Sequence, residues 1–212
     1  MKIRLDRAAQ IRKICAERNI KTLVHFTRIE NLPRILQEGL LGRSLLEARG
    51  KPFLFNASER VDDHKEAVCL SISFPNYQIF SMYRKRTGDR RWVVLLLDAQ
   101  VLWELECAFC QENAAHHIPL EERKKPDALN DMFVENFHAI KRQVLRIPHN
   151  YPTHPQAEVL VFDRVPVQYL NAVHFWNETV LSGWRSNNSG TYSQTFSADL
   201  QYFKPRSDWG VW

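Results

Sequence analysis

The 212-residue chain has only seven glycines, and none of them belongs to a G-x-G-x-x-G or G-K-[ST] pattern. This absence argues against a nucleotide held by a glycine-rich loop. The chain also lacks a run of 18 apolar residues, so no transmembrane helix and no membrane partner are expected. Its first residues, Met1 to Asp6, lack the apolar core of a signal peptide. We therefore expect a cytoplasmic protein.

Cysteine is also scarce. Four cysteines without a dense framework are typical of free thiols in a reducing compartment. Cys107 and Cys110 form a single C-x-x-C pattern, and His116 and His117 follow closely. These four side chains could supply a tetrahedral zinc site, which stays open as an alternative. A C-x-x-C without a second pair is a weak signal, and no metal is predicted.

The remaining composition is that of an ordinary globule, with 44% hydrophobic and 25% charged residues. We expect one domain spanning residues 1–212, with an N-terminal packing helix in 1–20 and an aromatic-rich tail, 184–212, packed on the body. The formal net charge of +5 favours an anionic partner without proving one.

Hydrophobic periodicity predicts elements of both classes. Thr27 and Glu30 match a capping box, Gly39 predicts the end of the following helix, and the polar segment 40–66 is expected to be irregular. Helices are expected at 6–18 (capped by Asp6), 30–39, 77–85 and within 120–146, and strands at 22–26, 67–74, 92–97, 159–162 and 167–175. The 67–74 strand should point Leu70, Ile72 and Phe74 to one face and Cys69, Ser71 and Ser73 to the other.

Two stretches concentrate positive charge. Five cations lie between residues 84 and 91, flanked by Tyr83 and Trp92, and further cations lie between 141 and 146. Cations beside stacking surfaces suit single-stranded nucleic acid, although a solvated turn or a complemented helix dipole would look the same. The candidate nucleic-acid-binding residues are Arg84, Lys85, Arg86, Arg90, Arg91, Arg142, Arg146, His149, Tyr151 and His154.

A single carboxylate stands where a stiff loop meets an apolar strand. Pro152 and Pro155 restrict the backbone before Glu158, and the apolar run 159–162 follows it. A carboxylate held this rigidly could be catalytic, or it could be a strand-end residue facing water.

These pieces occur in the order of a known family. The matching stretches are His25-Phe-Thr27 with Asn31-Leu-Pro33, Asn56 to Asp63, Ser71 to Tyr77 with Met82-Tyr83, Cys107 to Ala115, Tyr151 to Val161, and Phe203 to Asp208. In this set the chain, over about residues 20–212, resembles the DarT family of nucleic-acid ADP-ribosyltransferase toxins.

The resemblance implies an α+β fold, a split β-sandwich of two small sheets around an NAD cleft with flanking helices. It implies NAD as co-substrate, Glu158 as the catalytic residue, and Arg60 as an arginine that assists the reaction or holds the pyrophosphate. The NAD-binding residues that it implies are His25, Thr27, Asn31, Ser71, Ser73, Tyr77 and Met82.

The resemblance also implies a substrate and a setting. Single-stranded DNA is the expected target, with RNA as a variant, and neither thymidine nor guanosine is singled out. The family's toxin role implies an antitoxin partner, in a toxin–antitoxin or phage-defence system. An inactive nucleic-acid-binding module on the same fold stays open as an alternative.

Overall fold

The computed structural model describes residues 2–50, 53–55, 64–113 and 119–212, with the backbone alone for residues 2–6. Its helices are α1 (Lys2–Glu17), α2 (Leu32–Glu38), α3 (Arg43–Ala48), α4 (Tyr77–Thr87), α5 (Val101–Glu104), α6 (Leu120–Arg123), α7 (Pro126–Asp131), α8 (Arg142–Leu145) and α9 (Glu178–Asn187). Its strands are β1 (Thr22–Arg28), β2 (Leu40–Leu41), β3 (Ala67–Ile72), β4 (Trp92–Asp98), β5 (Cys107–Cys110), β6 (Asn136–Phe137), β7 (Ile140–Lys141), β8 (Glu158–Phe162), β9 (Arg164–Val165), β10 (Leu170–Phe175) and β11 (Thr195–Ala198). The predicted α+β class is confirmed.

Seven strands form one sheet in the order β11-β10-β4-β1-β3-β8-β5. All neighbours in this sheet are antiparallel except β10 and β11. The family resemblance implied two small sheets, and the structure joins them into one sheet through a short pairing of β1 with β3. Strands β1 and β3 pair only at Leu23 with Ile72 and at Val24 with Ser71. Beyond those pairs the two strands diverge, and the split between them opens the cleft described below.

Strand β4 is central, and its alternating side chains supply apolar groups to both faces of the sheet. Val93, Leu95 and Leu97 belong to the larger cluster, which also receives the helices α1, α2, α5, α7 and α9. Trp92 and Val94 belong to a second cluster with Phe80 of α4 and the tail residues Tyr202 and Phe203. Two aromatic side chains of the C-terminal segment thus contribute to this second cluster.

The N-terminal part follows the prediction with three differences. Helix α1 begins at Lys2, so Asp6 lies inside the helix and does not cap it. Thr27 lies in β1, and neither helical segment that follows has a side-chain cap, so no capping box forms. The segment 40–66 contains β2 and α3, where irregular chain was expected.

Gly39 ends α2 as predicted, with a positive φ of 82°. A Cβ at this position would lie 2.2 Å from the carbonyl oxygen of Val165, whose strand β9 pairs with β2. Glycine therefore permits both the left-handed turn and the close approach of the two chains.

The helix predicted within 120–146 is wrong. The chain there forms α6, α7, a two-residue hairpin of β6 and β7, and α8. Pro126 starts the new helix α7, because its ring fits the first turn and would break a helix interior. His138 then takes a positive φ of 50° in the hairpin turn. Leu129 and Phe133 still reach the core, so the apolar spacing reflected burial and not one continuous helix.

The predicted alternation of the 67–74 strand also stops early. Strand β3 ends at Ile72, and Ser73 has a φ of 62°. This left-handed residue turns the chain over, so Phe74 packs with the second cluster while Leu70 and Ile72 pack with the first. Among the described helices, none is long and apolar enough to cross a membrane.

Candidate functional site

The split between β1 and β3 opens into a cleft of about 370 Å³. Its walls come from β1, α2, the β2–α3 segment, β3, α4 and the first residue of β8. A volume in this range suits a small molecule or a cofactor. The cleft gathers five of the predicted site residues, which are His25, Thr27, Asn31, Ser71 and Glu158.

His25 lies where β1 and β3 separate. Its Nδ1 lies 2.9 Å from the backbone carbonyl oxygen of Cys69 on β3. A carbonyl only accepts, so Nδ1 carries the hydrogen and the ring spans the gap between the strands. The imidazole is thereby fixed in orientation at the wall of the cleft.

Glu158 is the first residue of β8 and is partly exposed to the cleft. Glu158 pairs with Cys110 of β5 on one side of β8. On the other side of β8, the next residue, Val159, pairs with Leu70 of β3. Burial raises the pKa of Tyr83, and the Glu158 carboxylate raises it further against the charge of Arg86. Tyr83 and Glu158 therefore share one wall of the cleft, with the carboxylate on rigid strand backbone.

Asn31 holds a loop across the mouth of the cleft. Its side-chain amide donates to the Leu54 carbonyl at 2.7 Å and accepts from the Leu54 N–H at 3.0 Å. It also donates to Thr27 Oγ1 at 3.1 Å. Phe55 of the same loop lies under the guanidinium of Arg43, 4.4 Å from the ring centroid. The Asn31 amide thus pairs with the backbone of the loop as a strand would.

Sequence reasoning missed several residues that line the cleft, namely Glu30, Arg34, Arg43, Phe53, Phe55, Cys69, Asn76, Tyr83 and Asn113. Arg34 and Arg43 are its two arginines in the described part of the chain. Arg34 follows the Asn31-Leu-Pro33 motif directly, and that position could have pointed to it. Arg43 could not be placed, because the segment around it was expected to be irregular.

Three of the predicted NAD-binding residues are not among the residues that line the cleft. Ser73 is buried after β3, and its Oγ has no partner within the described residues. Tyr77 is buried near Arg206 and Asp208, and burial is the main cause that raises its pKa. Met82 is exposed on α4. Arg60 lies outside the described residues.

Two of the predicted nucleic-acid-binding arginines, Arg84 and Arg142, have hydrogen-bond partners within the chain. Arg84 bonds Asp89 at 2.7 Å and the Phe203 carbonyl at 2.5 Å, and burial lowers the pKa of its guanidinium against the opposing charge of Asp89. Arg142 is buried and donates to Thr153 Oγ1 and to the carbonyls of Pro148, His149 and Tyr151. Both guanidinium groups therefore donate hydrogen bonds to the backbone and side chains of this chain. The sequence did not reveal these partners.

Six other predicted nucleic-acid-binding residues face solvent. Lys85, Arg86, Arg90, Arg91, Arg146 and His149 are exposed. Arg91 also bonds Glu30, with its Nη2 2.6 Å from the Glu30 carboxylate. Burial would raise the pKa of Glu30, but a backbone hydrogen bond and the guanidinium groups of Arg91 and Arg28 outweigh it and lower that pKa.

The loop before Glu158 is packed on both sides. The Tyr151 ring lies 5.4 Å from that of Phe74, and burial raises the pKa of Tyr151. The His154 ring lies between Phe137 at 4.9 Å and Trp212 at 4.7 Å. Tyr151 and His154, both predicted nucleic-acid-binding residues, therefore also help to pack the loop.

The cysteines bear on the zinc alternative. Cys107 and Cys110 are buried on β5 and form no disulfide, and burial raises the pKa of Cys107 to about 12. Within the described residues no group of three or more His, Cys, Asp or Glu side chains could hold a metal ion. His116 and His117 lie outside the described residues.

The chain matches the model of one known protein family. The family model described as "DarT: ssDNA thymidine ADP-ribosyltransferase, DarT" matches residues 24–190. No curated protein sequence matches the chain significantly.

Solved structures share the fold at low identity. Thermosipho africanus DarTG in complex with ADP-ribose is 15% identical, with a TM-score of 0.58. The alignment covers 86% of this chain and 51% of that one, so the chain spans about half the length of that relative. Thermus sp. 2.9 DarT in complex with carba-NAD+ has the same identity, TM-score and coverage of this chain, and 97% of its own chain is covered. The same Thermus protein in complex with ADP-ribosylated ssDNA is 13% identical, with a TM-score of 0.54 and coverages of 86% and 96%.

The family match spans well over half of the chain and includes both His25 and Glu158. With TM-scores of 0.58, the Thermosipho and Thermus structures share the overall fold of this chain. The chain belongs to the DarT family of single-stranded-DNA thymidine ADP-ribosyltransferases.

Proposed function

We propose that this chain transfers ADP-ribose from NAD to a thymidine base of single-stranded DNA, with Glu158 as the catalytic carboxylate. The observation that carries the proposal is the position of Glu158. It lies on rigid strand backbone in the cleft that also holds His25, Thr27 and Ser71. The choice of thymidine and of single-stranded DNA follows the description of the family.

The chemistry asked of Glu158 is simple. The bond between nicotinamide and the ribose C1′ breaks, and its electron pair leaves with nicotinamide. Positive charge develops on the ribose, and a fixed carboxylate stabilises it more in the transition state than in the ground state. A nitrogen of the base then bonds C1′, and its proton passes to Glu158.

The cleft provides groups for the rest of NAD. Arg34 and Arg43 are suited to the pyrophosphate, because a guanidinium fork matches phosphate oxygens. His25 is held by the Cys69 carbonyl and can meet a ribose hydroxyl. Arg60, which the resemblance implies either assists the reaction or holds the pyrophosphate, lies outside the described residues and remains part of the proposal on the resemblance alone.

Exposed basic residues define the surface proposed for the single-stranded DNA. Lys85, Arg86 and Arg90 lie at the end of α4 and in the turn that follows it, and Arg146 and His149 lie in the segment before Glu158. Such groups bind phosphates without sequence preference, so the base would be chosen inside the cleft.

We further propose a toxin role in the cytoplasm, neutralised by an antitoxin that reverses the modification or blocks the cleft. The Thermosipho relative is named DarTG, and this chain spans 51% of it. Neutralisation of the toxicity by a candidate antitoxin expressed in the same cells is the direct check.

The function is tested with labelled NAD and short single-stranded oligonucleotides. Wild-type protein should label thymidine-containing DNA, and mass mapping should place ADP-ribose on the base. Glu158→Gln should lower the rate about 100- to 1000-fold while oligonucleotide affinity is kept. Glu178→Gln, an exposed change on α9, is the matched control and should retain activity.

Assays with different oligonucleotides distinguish this proposal from the alternative substrates and from a binding module. Labelling of RNA in place of DNA would overturn the substrate, and labelling of a guanosine would overturn the base. Binding of DNA without any labelling would favour an inactive binding module.

A further inference from the structure

Asn76 is a cleft residue that the site described above leaves unused. It precedes α4, it is only 2% exposed, and its side chain lines the cleft. Its Nδ2 has no hydrogen-bond partner within the described residues. A buried amide N–H₂ without an acceptor costs free energy, so its persistence here calls for an explanation.

The orientation of the Asn76 amide is fixed by the helix that it caps. Asn76 Oδ1 accepts the backbone N–H of Ile79 at 3.3 Å, as an N-cap residue does. An N–H needs an acceptor, so the oxygen must face the helix and the N–H₂ must face away from it. The amide cannot flip without leaving the first turn of α4 uncapped.

The position of Asn76 along the cleft follows from Ser71. The backbone N–H of Asn76 donates to Ser71 Oγ at 3.2 Å. In the pairing of β3 with β8, Leu70 lies opposite Val159, so Ser71 is one step further on, beside Glu158. Asn76 therefore lies in the Glu158 half of the cleft.

We infer that Asn76 Nδ2 donates a hydrogen bond to an oxygen on the nicotinamide–ribose half of bound NAD. The inference rests on the proposed function, in which the reacting ribose lies beside Glu158. The ligand would supply the acceptor that the described residues do not, and the bond from Oδ1 to the first turn of α4 fixes the orientation of the amide before the ligand binds.

The test uses a variant that keeps the cap and removes the donor. Serine caps helices as well as asparagine does but has no N–H₂, so Asn76→Ser should preserve α4. Asn177→Ser is the matched control. Asn177 caps α9 in the same way, with its Oδ1 2.9 Å from the Val180 nitrogen, and is not among the residues that line the cleft.

Loss of one neutral hydrogen bond should raise the Kd for NAD about 3- to 10-fold in Asn76→Ser and leave it unchanged in Asn177→Ser. Competition with nicotinamide mononucleotide should weaken to the same extent, and competition with AMP should not change. Asn76→Asp, which keeps the shape and the capping oxygen, is the second variant if Asn76→Ser does not fold, and it should bind NAD at least as weakly.

An unchanged Kd for NAD in a folded Asn76 variant would overturn the inference, and so would a loss confined to AMP. NAD binding is measured without DNA, so this failure is distinct from failure of the proposed function, which the labelling of oligonucleotides decides.

Discussion

Arg206 and Asp208 form a two-point ion pair, with Nε 2.7 Å from Oδ1 and Nη2 2.5 Å from Oδ2, and both residues are at least 97% buried. Arg206 also donates to the carbonyls of Pro152 at 2.8 Å and Thr153 at 2.9 Å. Trp212 Nε1 donates to Asp208 Oδ2. The C-terminal tail thereby holds the loop that leads into Glu158.

This ion pair predicts a large loss of stability when the Arg206 side chain is removed. Arg206→Ala should lower the free energy of unfolding by about 3–5 kcal/mol, because it leaves Asp208 as a buried charge without its guanidinium. Arg49→Ala removes a more exposed pair with Glu38 and should cost about 1 kcal/mol or less. Urea titration measures both. Equal costs would contradict the structural role assigned to Arg206.

Two arginines close in sequence are expected to behave differently. Arg142→Ala removes the donor for three backbone carbonyls and should cost about 2–4 kcal/mol of stability. Arg146→Ala should leave stability nearly unchanged and reduce the slope of log K against log salt for single-stranded DNA by about 0.7. Fluorescence anisotropy over a salt series measures the slope. A stable Arg142→Ala protein with weakened DNA binding would restore Arg142 as a phosphate contact.

The thiols should differ in reactivity. Burial raises the pKa of Cys15 and of Cys107 to about 12 each, so both stay protonated and unreactive near pH 8. Cys69 is half-buried and lines the cleft. Iodoacetamide should therefore modify Cys69 more than tenfold faster than either of the others, and NAD should protect it. Peptide mass spectrometry follows each site, and alkylation of Cys69 that NAD does not slow would place the dinucleotide elsewhere.

His174 should make stability depend on pH. Burial lowers the pKa of His174, against the opposing charge of Asp199, so the folded protein keeps this side chain neutral. The unfolded chain takes up the proton first, near pH 6.5, so stability present above that pH falls as pH drops toward the folded pKa. One such group contributes at most about 1.4 kcal/mol per pH unit.

His174→Asn should remove that contribution, and the stability difference between wild type and variant should shrink between pH 7 and pH 5. Asn171→Ser, an exposed change on the same strand β10, is the control and should keep the pH dependence of the wild type. Thermal unfolding across this range measures both. A difference that grows on acidification would mean that His174 is protonated in the folded state.

The sequence was most informative where local chemistry decides the outcome. The apolar run after Glu158 forms a strand, and Gly39 ends a helix. The sequence led to a wrong prediction where the same local pattern is compatible with two different structures. The apolar spacing near Leu129 and Phe133 fits a long helix as well as several buried short elements.

The residues of the site divide in the same way. The order of His25, Ser71 and Glu158 identified the family, because those motifs can be read along the chain. Tertiary structure alone decided that Arg84 and Arg142 bond the chain itself while Lys85 and Arg146 face solvent. It alone brought Asn76 and Arg43 to the cleft. The physical reason is that a charge or a donor acquires its role from partners distant in sequence, and only the folded chain brings those partners together.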